Sequence, residues 1–343
     1  MEKGRQRNRG QSPISLTPIS VVCAAMLLAG ADHAAAQDAQ TNDGAWVHPV
    51  TPWGDPDLQG TWPIGHLIAV PFERPERYGE RRLMNDEEFE EVRRRVEARN
   101  RRYDDDTEAG RLGQGHWAES TEALRLTSLI VDPPNGRLPA LTETALEMRK
   151  TRGSTWQSTV FDSIEDFDSW DRCITSGMPV AMLPRNYNNG IEIYQTPGYV
   201  VLRLEMSGTR IIPLDGRDPL PPEIKHWMGE PRGRWEGNTL VVETTNFTGL
   251  HDMTRVGVTG SPAELVPTSD QLRTIERFTR VDDNTIEYEL TVDDPIVLTR
   301  PFTVAYPIWR DDDYKLYEYA CHEGNTAIRF YIETSRYERG LTR

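Results

Sequence analysis

Three short stretches of this 343-residue chain gather side chains able to move protons or hold a charge. The first is Tyr317-Glu318-Tyr319-Ala320-Cys321-His322-Glu323-Gly324-Asn325. On a strand, alternate residues share a face. Glu318, Ala320 and His322 then point one way, and Tyr317, Tyr319, Cys321 and Glu323 the other. A histidine that titrates near neutrality, beside a glutamate raised toward it by burial, makes an acid–base pair. The competing reading is a strand end tied down at Cys321, with His322 as a satisfied polar group. The second stretch is Pro184-Arg185-Asn186-Tyr187-Asn188-Asn189. Its asparagines and tyrosine can read hydroxyls or carbonyls, or can simply build a turn. The third gathers His226, Glu230, Arg232, Arg234 and Trp235. A guanidinium beside an indole there can hold a carboxylate or a sugar face, or lock its loop onto acidic strands. Glu318, His322 and Glu323 are therefore the catalytic candidates. Tyr187, Asn188, Asn189, Arg232 and Trp235 are the substrate-binding ones, with Arg232 and Asn188 orienting the substrate or stabilising an oxyanion.

Other chemistries find no support. Beyond the first forty residues, the histidines (His48, His66, His116, His226, His251 and His322) are scattered, with no His-x-x-x-His or His-Glu-x-x-His spacing. Asp293-Asp294-Pro295 and Asp311-Asp312-Asp313 read as turns rather than calcium loops. No Gly-x-Ser-x-Gly and no phosphate-cradling loop occurs, which removes the usual serine-hydrolase, nucleotide and dinucleotide readings. Neither a metal site nor a cofactor is expected.

The N-terminus has the order of a secretory signal. Lys3, Arg5, Arg7 and Arg9 precede the short apolar run 19–29, and Ala34-Ala35-Ala36 supplies small residues before Gln37. The run is too short to span a bilayer, so residues 1–36 read as a cleaved signal peptide and the rest as periplasmic or secreted. Cleavage removes four cations and two anions, taking the formal charge from −15 to −17. A chain this acidic, with no basic stripe, is a poor partner for nucleic acid. No later segment approaches the roughly 20 apolar residues of a spanning helix. Cys173 and Cys321 remain as an even pair, which in an oxidising compartment predicts a disulfide. A metal-binding thiol or two free cysteines are the alternatives.

The elements that must position these groups are mostly strands. Residues 85–102 predict a helix with a capping box from Asn85 and Glu88, and 142–149 a short one capped by Thr142. Residues 103–118 read as a loop and 161–170 as an irregular arm. Strands are predicted at 199–206, 209–214, 239–245, 274–281, 285–292, 297–306, 314–321 and 327–333. The span 229–247 supplies a Gly/Pro/Arg loop, a turn and a central strand. Gly60-Thr61-Trp62 resembles the opening of lipocalin-type barrels, or is an ordinary strand start. The fold expected is mainly β: an antiparallel, lipocalin/calycin-like barrel of about eight strands over 173–343, with an N-terminal helical and irregular arm over 37–172. An open sandwich is the runner-up.

Seven segments add a family resemblance: SLIVDPPNGRLPALT, RCITSGMPVAMLP, YNNGIEIYQTPGYVV, RIIPLDGR, RGRWEGNTLVVETTNF, ERFTRVDDNTIEYELTVDDP and YEYACHEGN. Together they resemble a large, mostly uncharacterised family of exported proteins of environmental bacteria, across most of residues 55–325. The resemblance implies export and supplies no catalytic residue. The expectation is thus an exported, cofactor-independent enzyme, a lyase, hydratase, isomerase or hydrolase, working on a small organic molecule by acid–base chemistry inside a barrel. The alternative is a lipocalin-like carrier of a small apolar ligand.

Overall fold

Alternation decides where the core lies. In the computed structural model, which describes residues 46–341 apart from Gly153 and Val256, every second residue of the longest strands turns inward. The signal-peptide segment lies outside the described residues. In chain order the elements are β1 (Gly60–Thr61), α1 (Asp86–Glu108), β2 (Ile130–Asp132), α2 (Glu143–Thr151), β3 (Ile191–Thr196), β4 (Tyr199–Leu204), β5 (Gly208–Pro213), β6 (Glu230–Glu236), β7 (Thr239–Thr245), β8 (Arg273–Arg280), β9 (Thr285–Asp293), β10 (Phe302–Trp309) and α3 (Ala327–Glu338). On β9 the buried side chains are Ile286, Tyr288, Leu290 and Val292; on β10 they are Phe302, Val304, Tyr306 and Ile308. This period of two is what a half-buried antiparallel sheet requires.

The strands form two antiparallel sheets, ordered β1-β3-β4-β5 and β2-β10-β9-β8-β7-β6. Their inner faces share one apolar core that also takes in Trp62, Leu67 and Phe72. A single ring of about eight strands is not what the pairing gives, because among the described residues no strand pair closes either sheet. Two segments expected to complete that ring are not strands. Residues 314–321 run without regular structure, and 327–333 belong to α3. In α3 the ring of Tyr331 packs on Phe161 and Phe167, with centroids 5.4 and 6.1 Å away. Ser335 accepts from the Phe161 N–H at 2.9 Å. Helical spacing thus overrides the strand preference of the aromatic and β-branched residues there.

Two further expectations are revised. The chain before Cys173 is not an arm laid over a finished domain, since β1 and β2 each join a sheet. And 230–236, read as loop, is strand β6, paired with β7 from Glu230↔Thr245 to Glu236↔Thr239. Gly233 on β6 marks a close approach of the two sheets. A Cβ there would stand 2.6 Å from Leu214 Cδ2 and 2.7 Å from Ile212 Cγ2, so only glycine lets the sheets come this near. The predicted helices are present. Asn85 and Glu88 form the capping box of α1, and Thr142 Oγ1 accepts from Ala145 N at the start of α2.

Among the described residues, one ion pair crosses the core. Arg210 on β5 donates to Glu276 on β8, at 2.9 Å through Nη1, and both side chains are essentially inaccessible. Tyr288 on β9 donates to the same carboxylate at 2.9 Å. The pair ties the small sheet to the large one through the middle of the apolar layer.

Candidate functional site

The loop 184–190 and the segment 314–321, picked out separately by composition, meet in space. They do so through residues other than the expected acid–base pair. Glu318, His322 and Glu323 are exposed. Because 314–321 is not a strand, Glu318 and His322 lose the shared face on which their pairing rested. Arg232 and Trp235 sit on β6. Arg232 donates to Glu230 beside it and lines a surface groove with Arg217, Pro219 and Glu243. Trp235 is half-buried against the core, and its indole Nε1 has no partner. Among the described residues neither shares a hydrogen bond or a pocket with Asn188.

What the loop and the segment build is a tyrosine held between two carboxylates. The Tyr314 hydroxyl lies 3.0 Å from Glu119 Oε1 and 2.7 Å from Glu205 Oε2. Asn188 donates through Nδ2 to Glu205 Oε1 at 2.9 Å, and the Gly190 and Tyr317 N–H groups donate to Glu205 at 3.0 Å each. Asn189 holds the other acid, donating to Glu119 from its backbone N–H at 3.1 Å and from Nδ2 at 2.9 Å. Its Oδ1 accepts the Arg185 N–H at 2.8 Å, which closes the loop on itself. Asn188 takes the left-handed conformation at φ 56°, one that asparagine tolerates better than most residues. Gly190 leaves room for Tyr314, since a Cβ there would stand 2.7 Å from its ring.

One phenol carries one hydrogen, yet two carboxylate oxygens stand within bonding distance of it. With both acids ionised, one of the two contacts lacks a hydrogen; a second proton on the trio completes both. Burial pushes the Tyr314 hydroxyl well above its ordinary value, and the Glu119 charge adds to the rise. Tyr314 thus bridges the two carboxylates as a neutral phenol. Beside Glu205 lies a cavity of about 10 Å³, bordered by Arg185, Asn188, Asn189 and Ser207, about the room one water needs.

A second cluster shares the same loop. Arg185 is 7 % exposed, and its guanidinium meets only neutral acceptors: Met206 Sδ at 2.6 Å, Val180 O at 3.1 Å, Ser176 Oγ at 3.2 Å and Ser207 Oγ at 3.3 Å. Burial pulls its pKa down to about 9, and the Arg255 charge contributes. Arg255 lies over the Trp170 ring at 4.0 Å, with Arg185 5.5 Å from the same ring. Tyr319 stacks on Trp170 at 5.0 Å, and Tyr187 meets Trp117 edge-on at 4.9 Å. Burial pushes the Tyr319 hydroxyl up to about 12, with Tyr187 close enough to bond to it. The expected disulfide is present: Cys173 and Cys321, with Cα atoms 5.5 Å apart, join the Trp170 loop to the Tyr319 segment.

Behind this cluster sit His251 and Asp252. Burial pulls His251 down to about 4 and pushes the Asp252 carboxyl up to about 7. Asp252 is raised in the fold, so its stabilising contribution is complete below about pH 4 and is lost as pH climbs toward 7. Asp252→Asn removes that loss. The stability of the variant relative to wild type should therefore grow by about 1.4 kcal/mol per pH unit between pH 4 and 7. Urea unfolding midpoints across that window check it, and a difference that stays flat would refute the assignment. His251 and His66, the latter also pulled down to about 4 by burial, push both proteins the other way and cancel in the comparison.

Glu119, Glu205, Tyr314, Trp170 and Arg255 stand singly in the sequence, with no spacing to mark them. The one available signal is Arg185, a lone cation closing the apolar run 178–184. Among the described residues no three His, Cys, Asp or Glu side chains are grouped to hold a metal, and no helix is long and apolar enough to cross a membrane. Comparisons with protein families, with curated proteins and with solved structures found no match, so the functional reading stands on this geometry.

Proposed function

We propose that this protein is an exported enzyme that acts on a small organic molecule by proton transfer, as a lyase, isomerase, hydratase or hydrolase does. Glu205 is the base and Tyr314 the relay to Glu119. The observation that carries the reading is the Tyr314 hydroxyl within bonding distance of both Glu119 and Glu205. A proton taken from substrate reaches Glu205 through the water-sized space beside it and passes to Glu119 as Tyr314 gives up its hydrogen on one side and accepts one on the other. Groups placed this way contribute roughly 10²–10⁴-fold to a rate. The test is mass-spectrometric turnover of a mixture of small organic molecules. Wild type should consume a component of it, Glu205→Gln and Tyr314→Phe should lose at least 100-fold, and His322→Ala should keep its rate. Full activity in a folded Glu205→Gln variant would sink the assignment. The disulfide supports export, since such bridges persist in oxidising compartments.

One observation favours a carrier instead. A groove of about 420 Å³ under α1 has apolar walls from Ile68, Met84, Val92 and Val96, with Arg95 and Arg99 also lining it. That is the pattern of a site for an amphipathic guest. If no component is turned over and a ligand instead co-purifies and is extracted intact, the carrier reading replaces the enzyme.

A further inference from the structure

Two neighbouring arginines, Arg185 buried and Arg255 half-buried, lack a carboxylate in contact, although a charge taken out of water is normally paired. Arg185 spends its hydrogen bonds on two hydroxyls, a carbonyl and a thioether. None of these neutralises it. Arg255 goes further: its Nη1 is buried without any partner, and its closest company is the face of Trp170. The nearest negative charges are Asp168 and Asp171, and neither makes an ion pair with it among the described residues. Burial, with the Asp171 charge second, pushes Asp168 toward its neutral form. The cluster sets the two guanidinium groups, neither in an ion pair with Asp168 or Asp171 among the described residues, beside the aromatic rings of Trp170, Tyr319, Tyr187 and Trp117.

We propose that Arg255, backed by Arg185, binds the carboxylate of a small aromatic acid whose ring packs among Trp170, Tyr187 and Tyr319. A carboxylate fits the partly exposed guanidinium of Arg255, which makes no hydrogen bond among the described residues, since planar anions pair bidentately with arginine. A flat, unsaturated body fits walls that offer ring faces and edges rather than aliphatic side chains. Tyr187, Tyr319 and Arg255 are each half-buried, so part of the cluster reaches the surface. The loop 185–190 belongs to both places: Arg185 stands in the cluster, and Asn188 and Gly190 donate to Glu205. The inference deepens the enzyme reading by giving its substrate a charge and a shape, and it rests on that reading for the reaction alone.

The experiment is calorimetric titration of the full-length, disulfide-bonded protein with benzoate, cinnamate and 2-naphthoate, each against its neutral amide. At least one acid should bind saturably and at least tenfold more tightly than its amide. Arg255→Gln should weaken that acid at least tenfold, and Arg255→Lys should recover part of the loss because it restores charge without the fork. No saturable binding by any of the three acids, equal binding of acid and amide, or full affinity in Arg255→Gln would each overturn the proposal. If Arg255→Gln does not fold, the acid-against-amide comparison on wild type decides. Tyr314→Phe separates the two readings. Acid binding retained with turnover lost supports both. Acid binding absent while turnover still depends on Glu205 removes the anion site alone.

Discussion

Replacing Glu276 with leucine is expected to destabilise the protein by about 3–5 kcal/mol, more than most single changes, because it leaves the Arg210 charge buried and uncompensated. Arg210 has nowhere else to go. Its side chain is 2 % exposed, its Nε already lacks a partner, and its remaining neighbour is the Thr244 hydroxyl at 3.3 Å. The Tyr288 hydroxyl would also lose its acceptor. The informative comparison is with Arg210→Met/Glu276→Leu, in which both charges leave together and apolar volume takes their place. Such exchanges are often neutral or stabilising, so the double variant should regain most of the loss. Chemical denaturation of the single and double variants measures both. A single variant within about 1 kcal/mol of wild type would mean that the pair is open to water.

Cys173→Ser/Cys321→Ser is expected to be the second large effect. The bridge spans 148 positions in sequence, and for a closure of that length the chain-entropy model allows about 5 kcal/mol. The loss should be concentrated where the bridge acts. Residues 314–325 contribute no strand to either sheet, and their hold on the body is a handful of side-chain contacts such as Tyr314 to Glu205 and Tyr319 on Trp170. Hydrogen exchange should rise across 314–325 while β8, β9 and β10 stay protected, and substrate turnover should fall with it. Unchanged exchange in 314–325 would show that the segment holds itself in place.

These effects also mark what the sequence could and could not disclose. Strict alternation made β8 and β9 legible, as did the Asp282-Asp283-Asn284 turn between them, and local hydrogen-bond chemistry made the caps at Asn85 and Thr142 legible. Each of these signals lies within a few residues of the element it governs. The same rule misled where β-favouring residues are held by contacts distant in sequence. Residues 327–333 fold as helix because Phe161 and Phe167 receive Tyr331 from one side. The segment 314–321 forgoes its alternation because the Tyr317 N–H goes to Glu205 rather than to a neighbouring strand. The candidate site was half visible. Asn188, Asn189 and Tyr187 stood out by composition, but they serve to hold Glu205, Glu119 and Tyr319, partners that only the folded chain brings near. The disulfide needed only parity and compartment, which is why it could be foreseen without the fold.

The position of the last strand has a consequence for the order of events during synthesis. Both sheets are complete at Trp309, so the core can consolidate before Tyr314, Tyr319 and Cys321 have emerged. Cys173 has no partner until Cys321, 148 positions later, has been made. The bridge is thus a late connection: it fastens the segment after Trp309 to a scaffold whose strands all precede it.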